Sequence, residues 1–429
     1  MDMRKTVKVK TKYGLLEGLK KEGFDVFRGV PYARPPIGEL RFKAPVECEP
    51  WEGIREAFEF GNICPQVLIT EGYYYKEFYA DPTFIPPQSE DCLYLNIWAP
   101  EDSTPDSKYP VAMWIHGGSF DHGWGSEEEF DGAAFARRGV ILVTINYRVG
   151  PFGFLALPEL RNEDPNGSTG NYGLLDQIMA LRWIRENISA FGGDPERITV
   201  FGQSRGSIST QSLVSSPLTE GMISRAILQS GTGVPGIGFS LENAYSTGCK
   251  VKELVGRKDL EELRKVPAEK LVEITEELYR LGGSYRPVTD GYVLTKLLKE
   301  CADDGDIRDI PYMLGMTKDD IGVTGGEYVG SMFYNGMMDF AGARKANSDK
   351  PVYLYLFRHD LPGDDMGAIH SWELWYVFNT LDRCWRPLTE KDRRLSEYMC
   401  DIWTDFIKGK DISDRWTVYS GADSINYLD

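Results

Sequence analysis

Short apolar runs rich in β-branched residues recur along the chain and predict buried strands. They lie at residues 111–115, 140–145, 198–201, 226–228 and 352–357. Between them lie segments with helical spacing, most clearly residues 174–188, in which apolar side chains recur every three to four positions. Strands that alternate with helices predict an α/β fold, with a mostly parallel sheet flanked by helices.

Two segments depart from this alternation. Residues 5–15 alternate polar and apolar positions, as a half-exposed strand does, within an N-terminal β element over residues 1–60. Residues 241–280 are charged, Leu-rich and helix-prone, which predicts a helical insertion at about 232–300 that lies over the sheet as a lid. No internal repeat is visible, so we expect a single domain over residues 1–429.

Charge and composition exclude some classes of binding partner. The formal charge is -17, and no dense Lys/Arg block occurs, so nucleic acid is a poor partner and a neutral small molecule fits better. The first thirty residues lack the layout of a secretory signal, and no apolar run approaches the ~18 residues of a membrane span. We therefore expect a cytoplasmic monomer or small homo-oligomer without membrane contact.

The cysteines lack CxxC pairs, so no structural zinc site is expected.

The pentapeptide Gly202-Gln203-Ser204-Arg205-Gly206 is the first candidate for chemistry. A Gly-x-Ser-x-Gly match alone is weak, because a chain this rich in glycine and serine can contain one by chance. Here it follows the strand-like run 198–201 and precedes a helical segment at 208–214, the setting of a nucleophile elbow. Ser204 is therefore the predicted nucleophile. The glycine-rich residues 116–120 follow another strand and are expected to aim backbone N–H groups at an oxyanion.

A serine nucleophile needs a histidine base and an acid. In a nucleophile-elbow enzyme the chain order is serine, acid, histidine, which excludes His116 and His122. Of the other two histidines, His370 lies in a loop and His359 ends a strand-like run. A loop position suits a base that must reach the nucleophile, so His370 is preferred. The acid is expected after the strand-like run 310–315, where Asp319 and Asp320 compete.

Three longer segments, at 27–42, 89–97 and 170–177, are more specific than any pentapeptide. With the motifs above, they resemble the type-B carboxylesterase family, which includes bacterial para-nitrobenzyl esterases and the cholinesterases. The resemblance covers nearly the whole chain. It implies an α/β-hydrolase fold and a serine hydrolase of carboxylic esters that works through an acyl-enzyme and needs no metal or organic cofactor.

The resemblance also assigns residues to roles. It implies Ser204 as nucleophile, His370 as base and Asp320 as acid, at a position where the family usually has Glu followed by Gly. The oxyanion hole would consist of the backbone N–H groups of Gly118, Ser119 and Arg205, and the Ser230 hydroxyl would lie near the triad. Arg205 replaces the usual Ala; its side chain could turn outward into an ion pair, narrow the pocket or attract a carboxylate on the substrate.

Structural contacts follow from the same resemblance. It implies ion pairs of Arg41 with Glu90 and of Arg148 with Asp176. It also implies a disulfide between Cys64 and Cys92, which a reducing compartment would keep in the thiol form. The stretch between Asp320 and His370 is shorter than in typical members, which predicts a more open wall of the gorge.

The predicted activity is hydrolysis of small-acyl carboxylic esters. One alternative is an esterase that acts on acetylated or feruloylated sugars. Another is a catalytically inactive binding or adhesion protein on the same fold. Aromatic residues could stack on a sugar or line an acyl pocket, although core packing is the simpler interpretation; these are Trp124, Tyr285, Trp372 and Trp375.

Overall fold

The computed structural model describes residues 5–233 and 239–429 of the chain. Twelve strands of this described part belong to one sheet. They are β1 (Thr6–Lys10), β2 (Leu15–Lys21), β3 (Phe24–Pro31), β4 (Ile54–Glu56), β5 (Tyr94–Pro100), β6 (Tyr109–Ile115), β7 (Ile141–Ile145), β8 (Gly193–Gln203), β9 (Arg225–Gln229), β10 (Tyr312–Thr317), β11 (Val352–Phe357) and β12 (Ile425–Leu428).

The spatial order of the strands is β1-β2-β3-β5-β7-β6-β8-β9-β10-β11-β12, with β4 paired to β2. Along this path the pairs from β1 to β7 are antiparallel. The pairs from β7 to β12 are all parallel. Parallel neighbours need crossover connections, which are usually helical. The predicted α/β fold with a mostly parallel sheet is confirmed.

Helices connect these strands within the described residues. They are α1 (Gly72–Tyr74), α2 (Ala133–Arg137), α3 (Gly150–Phe154), α4 (Pro158–Glu163), α5 (Tyr172–Asn187), α6 (Arg205–Ser215), α7 (Leu241–Leu254), α8 (Leu260–Arg264), α9 (Ala268–Glu273), α10 (Thr275–Arg280), α11 (Leu298–Asp303), α12 (Met332–Asn347), α13 (Leu374–Val377) and α14 (Glu390–Lys408). A π-helical turn, Tyr75–Tyr79, continues α1, and 3₁₀ turns lie at Gly38–Leu40, Pro82–Phe84, Ile188–Phe191 and Pro217–Thr219. In the described part of the chain, no helix is long and apolar enough to cross a membrane.

Alternate residues of the central strands pack into two cores, one on each face of the sheet. In β6, Val111, Met113 and Ile115 join the core that includes α5 and α6. Ala112 and Trp114 join the core that includes α2 and α14. Successive strand side chains point to opposite faces, so both faces are covered and the carboxyl edge of the sheet remains for a site.

The prediction of one strand over residues 5–15 is wrong. β1 ends at Lys10, and β2 begins only at Leu15. Between them the backbone N–H and the hydroxyl of Thr11 both donate to the carbonyl of Gly14, at 2.9 and 3.0 Å. This local turn reverses the chain, and the two strands pair antiparallel. Residues 1–4 of the predicted β element lie outside the described residues.

The segment predicted as a helical insertion contains five helices, α7 to α11, within its described residues. Residues 234–238 of that segment lie outside the described part. The hydroxyl of Tyr279, on α10, donates a hydrogen bond to the Asp121 carboxylate, just after the glycine-rich loop. A role as a lid stays a prediction, now with a defined contact between the helices and that loop.

Both ion pairs implied by the family resemblance are present. Arg148 and Asp176 form a buried bidentate pair, with Nη2 and Nε of the arginine at 2.7 and 2.8 Å from the two carboxylate oxygens. Arg41 donates from two nitrogens to Glu90. The implied disulfide is absent, because Cys64 and Cys92 are buried free thiols. A hydrogen bond with the Cys64 thiol, together with burial, raises the pKa of Cys92, so the two side chains are neighbours.

Candidate active site

Ser204 lies on a sharp turn between β8 and α6. Its backbone angles, φ 56° and ψ -123°, are strained for a residue with a side chain. Close packing requires the flanking glycines. A Cβ on Gly206 would lie 2.0 Å from the Ile115 carbonyl oxygen, and a Cβ on Gly202 would lie 2.4 Å from the Gly206 carbonyl oxygen. The turn has the geometry of a nucleophile elbow and presents Ser204 at the carboxyl edge of the sheet.

Two adjacent carboxylates follow β10, and their contacts differ. Oδ1 of Asp320 lies 2.5 Å from Nδ1 of His370, and the aspartate side chain is fully buried. Asp319 instead accepts a hydrogen bond from the backbone N–H of Ala368 at 2.9 Å. Asp320 therefore contacts the histidine, and Asp319 holds the loop that carries it.

Asp320 is held in its ionised form. Burial alone would raise its pKa, but the charge of His370 and several hydrogen bonds outweigh burial and keep the pKa below its usual value. The Ser230 hydroxyl donates to Oδ2 at 2.7 Å, which places it beside Asp320. The backbone N–H groups of Ile321 and Thr317 also donate to the carboxylate, at 2.8 and 3.1 Å. An ionised Asp320 can keep Nδ1 of His370 protonated.

His370 lies in the loop before α13 and lines the same pocket as Ser204. Its ring stacks on Phe333, with the ring centroids 5.8 Å apart. The side-chain nitrogen of Gln203 lies 3.2 Å from Nε2 and 3.5 Å from Nδ1, so it approaches beside the ring and not along the axis of either nitrogen. Among the described residues, the Ser204 hydroxyl has no hydrogen bond to His370. Such contacts are often long without substrate and tighten in its complex.

The glycine-rich loop of residues 116–120 passes beside Ser204. A Cβ on Gly117 would lie 3.2 Å from Cβ of Ser204. Gly118 and Ser119 both have positive φ, 89° and 56°. Within the described part, the backbone N–H groups of Gly118, Ser119 and Arg205 donate to no protein acceptor. Unpaired donors around one serine are suited to stabilise an oxyanion.

Comparisons with known proteins agree with this geometry. The Carboxylesterase family model matches residues 5–331 and 327–428. The chain is 34% identical to the para-nitrobenzyl esterase of Bacillus subtilis (strain 168), over 93% of this chain and 89% of that protein. The chain belongs to the carboxylesterase family.

Other relatives support the same assignment. The carboxylesterase is 38% identical to the fumonisin B1 esterase of Sphingopyxis macrogoltabida, over 72% of this chain and 55% of that protein. A solved PNB esterase structure has a TM-score of 0.86 at 31% identity, and covers 98% of this chain and 95% of that chain. A Geobacillus stearothermophilus carboxylesterase has a TM-score of 0.82 at 32% identity, with coverages of 98% and 96%.

Family membership decides the fold and the class of reaction. The carboxylesterase has the α/β-hydrolase fold. It is a type-B carboxylesterase, a serine hydrolase that acts on carboxylic ester bonds, and its substrates are small-molecule esters. The fold, the enzyme class and the family predicted from the sequence are confirmed.

The pocket of the carboxylesterase at Ser204 has a volume of about 170 Å³. Burial raises the pKa of Glu127, on its wall, to about 7. Burial and the charge of Glu127 raise the pKa of Glu129 well above its usual value. The pocket wall thus carries two acidic groups that are protonated more readily than free carboxyls. Its aromatic residues are Tyr74, Phe78, Tyr79 and Phe130.

The three histidines that were not preferred as the base have other contacts. Burial lowers the pKa of His116 to about 3, so its ring is neutral. Nε2 of His359 lies 2.7 Å from the Asp392 carboxylate, which ties it to α14. His122 lines the pocket, but its Nδ1 lies 2.5 Å from Asp121, the next residue in the chain. The contact with Asp392 holds His359 away from Ser204.

The side chain of Arg205 is half-buried, with its guanidinium carbon 5.7 Å from the centroid of the Phe120 ring. The structural ion pair considered for it on the sequence does not occur among the described residues. The backbone N–H group of Arg205 is available to stabilise an oxyanion. The positive charge of its side chain has no counterion among the described residues.

Four aromatic residues were candidates for stacking on a sugar. They have at most 3% of their surface exposed, and none lines the pocket at Ser204. Core packing therefore explains Trp124, Tyr285, Trp372 and Trp375.

Two polar residues of the site were not anticipated. Gln203 lies beside the ring of His370, and Glu373 lies where the charge of Asp320 acts on it. Burial, followed by the charge of Asp320, raises the pKa of Glu373 to about 7. Nε2 of Gln229 donates to Glu373 at 3.2 Å. The only signal for Glu373 in the sequence was its position three residues after His370.

Proposed function

We infer that the carboxylesterase cleaves small-acyl carboxylic esters through an acyl-enzyme on Ser204, with His370 as base and Asp320 as the group that orients it. The observation that carries this proposal is the bond of 2.5 Å between Asp320 and His370, whose ring shares a pocket with Ser204. Serine, histidine and carboxylate in this relation are the parts of a serine-hydrolase triad.

The geometry supports the following steps. His370 takes the proton of Ser204 as its oxygen attacks the ester carbonyl, and Asp320 stabilises the imidazolium that forms. The N–H groups of Gly118, Ser119 and Arg205 stabilise the oxyanion. This role is supported because they donate to no other acceptor within the described residues. His370 then gives the proton to the departing alcohol. Water, activated by the same histidine, releases the acid and restores the serine.

A small ester is supported by the limited space near Ser204. The pocket volume of about 170 Å³ lies below the range of about 300–1,000 Å³ that is common for drug-sized ligands. A cytoplasmic location is part of the proposal, supported by the buried free thiols of Cys64 and Cys92.

The adjacent carboxylates allow a matched test. We expect Asp320→Asn to lower kcat for para-nitrophenyl butyrate by about 10³–10⁴-fold, because His370 loses the ion that holds its tautomer. Asp319→Asn keeps an acceptor oxygen for Ala368 and should change kcat by less than about tenfold. Ser204→Ala should abolish the burst of para-nitrophenol. An active Ser204→Ala enzyme, or equal losses in the two aspartate variants, would rule out the assignment.

A further inference from the structure

The side chain of Arg205 lies beside the nucleophile but outside the pocket. Arg205 begins α6 and follows Ser204 directly. Its guanidinium lies over Phe120, which belongs to the glycine-rich loop. The residues that line the 170 Å³ pocket do not include Arg205. The guanidinium therefore occupies a different part of the surroundings of Ser204.

The charge of a second cation, Arg286, acts on Arg205. Burial, and then the positive charge of Arg286, lowers the pKa of Arg205. Arg286 is also half-buried, with its guanidinium carbon 5.0 Å from the centroid of the Phe239 ring. Neither guanidinium has a carboxylate within ion-pair distance among the described residues, and residues 234–238 contain no charged side chain.

Among the described residues, the carboxylate that acts on Arg205 is Asp121, and it is already engaged. One of its oxygens lies 2.5 Å from Nδ1 of His122, and the other accepts a hydrogen bond from the Tyr279 hydroxyl. The carboxylate that acts on Arg205 is thus occupied by two other side chains, and Arg286 has no ion pair among the described residues. Partly desolvated charges without their own counterions are unfavourable, so an incoming anion would be stabilised here.

The chemistry of the site selects the kind of anion and its place in the substrate. A guanidinium group binds a carboxylate with two parallel hydrogen bonds. In the mechanism above, His370 protonates the leaving alcohol, so the alcohol lies on the His370 side of the ester. Arg205 lies outside the pocket that contains His370. An anion at Arg205 therefore belongs to the acyl part.

We propose that Arg205, assisted by Arg286, binds a carboxylate on the acyl group, so that the enzyme prefers half-esters of short dicarboxylic acids. This inference rests on the proposed function and names the substrate class of the same site. With monoethyl glutarate, attack by Ser204 breaks the acyl C–O bond and releases ethanol. Water then frees glutarate, and the new carboxyl group releases one proton at neutral pH.

Two pairs of esters matched in chain length test the inference. Monoethyl glutarate and ethyl pentanoate differ by a carboxylate at the end of the acyl chain. 4-Acetoxybutyrate and butyl acetate differ by a carboxylate at the end of the alcohol. Proton release in a pH-stat gives kcat/KM for each ester. We expect a preference for the charged ester in the first pair only.

For the wild-type enzyme and each variant, the preference is measured as the ratio of kcat/KM for the two esters of a pair. Arg205→Met should lower the ratio of monoethyl glutarate to ethyl pentanoate by about ten- to a hundredfold, the value of a charge-assisted hydrogen bond. Arg205→Lys keeps the charge and should retain part of the preference, and Arg286→Met should lower the ratio less. Arg182→Met removes an exposed cation on α5 and serves as the control for net charge.

The outcomes separate the inference from the proposed function. A wild-type enzyme that hydrolyses ethyl pentanoate but has no preference for monoethyl glutarate overturns the inference and leaves the proposed function intact. The same holds if Arg205→Met and Arg286→Met both keep the wild-type ratio. An enzyme inactive on all four esters and on para-nitrophenyl butyrate overturns both. If Arg205→Met does not fold, Arg286→Met and the loss of preference at high salt decide the question.

Discussion

Replacing Glu373 by glutamine tests whether a neutral carboxyl lies near Asp320. Glu373 is fully buried. Its Oε1 accepts from Gln229 at 3.2 Å, and its Oε2 has no hydrogen-bond partner among the described residues. Glutamine keeps the acceptor oxygen and the shape of a protonated carboxyl. The variant therefore imitates the neutral form at every pH.

The structure sets both the direction and the size of the effect. Burial and the charge of Asp320 raise the pKa of Glu373 from 4.5 to about 7. A carboxyl with a higher pKa in the folded protein costs no stability below pH 4.5, where both states are protonated. Stability then falls as the pH rises to about 7 and levels off above it. At about 1.4 kcal/mol per pH unit between the two pKa values, the loss is roughly 3 kcal/mol.

The assay is urea denaturation of the wild-type protein and Glu373→Gln at a series of pH values between about 5 and 8.5. We expect nearly equal stabilities at the acidic end, and a variant that is more stable by roughly 3 kcal/mol at the alkaline end. All other ionisable groups are common to both proteins, so the difference reports on Glu373. Parallel stability curves across the range would refute a neutral Glu373.

Two further substitutions test the scaffold of the site. Arg148→Met leaves the buried Asp176 carboxylate without its partner and should lower the free energy of unfolding by about 3–5 kcal/mol in urea, whereas a loss below about 1 kcal/mol would contradict a buried pair. Gly206→Ala places a methyl group 2.0 Å from the Ile115 carbonyl oxygen and should lower kcat for para-nitrophenyl butyrate by at least about a hundredfold. Circular dichroism checks the fold of this variant, and full activity would contradict the close packing of the elbow.

The central strands could be predicted because buried parallel strands are continuous apolar runs. The run at 352–357 coincides with β11, and the run at 111–115 lies within β6. The edge strand β12, Ile425–Leu428, mixes polar and apolar residues and could not be distinguished from a loop. The break between β1 and β2 depends on local hydrogen bonds of Thr11, which no hydrophobic pattern records.

The parts of the site that the sequence could suggest are those with a local signal or a family pattern. Ser204 lies at a turn between a predicted strand and a predicted helix, and His370 lies in a predicted loop. The residue type alone does not distinguish Asp319 from Asp320. Their contacts differ because the backbone after β10 turns the two side chains in different directions. Glu373 was missed because its burial beside Asp320 arises from packing between distant segments.

The most direct test of the central claim is covalent labelling of the carboxylesterase by a fluorophosphonate, followed by digestion and mass spectrometry of the peptides. A serine activated in a triad reacts with this class of reagent. We predict one label per chain, on the peptide that contains Ser204, with loss of ester hydrolysis in proportion to labelling and no label in Ser204→Ala. A label on another residue, or full ester turnover by enzyme that is completely labelled at Ser204, would contradict the account.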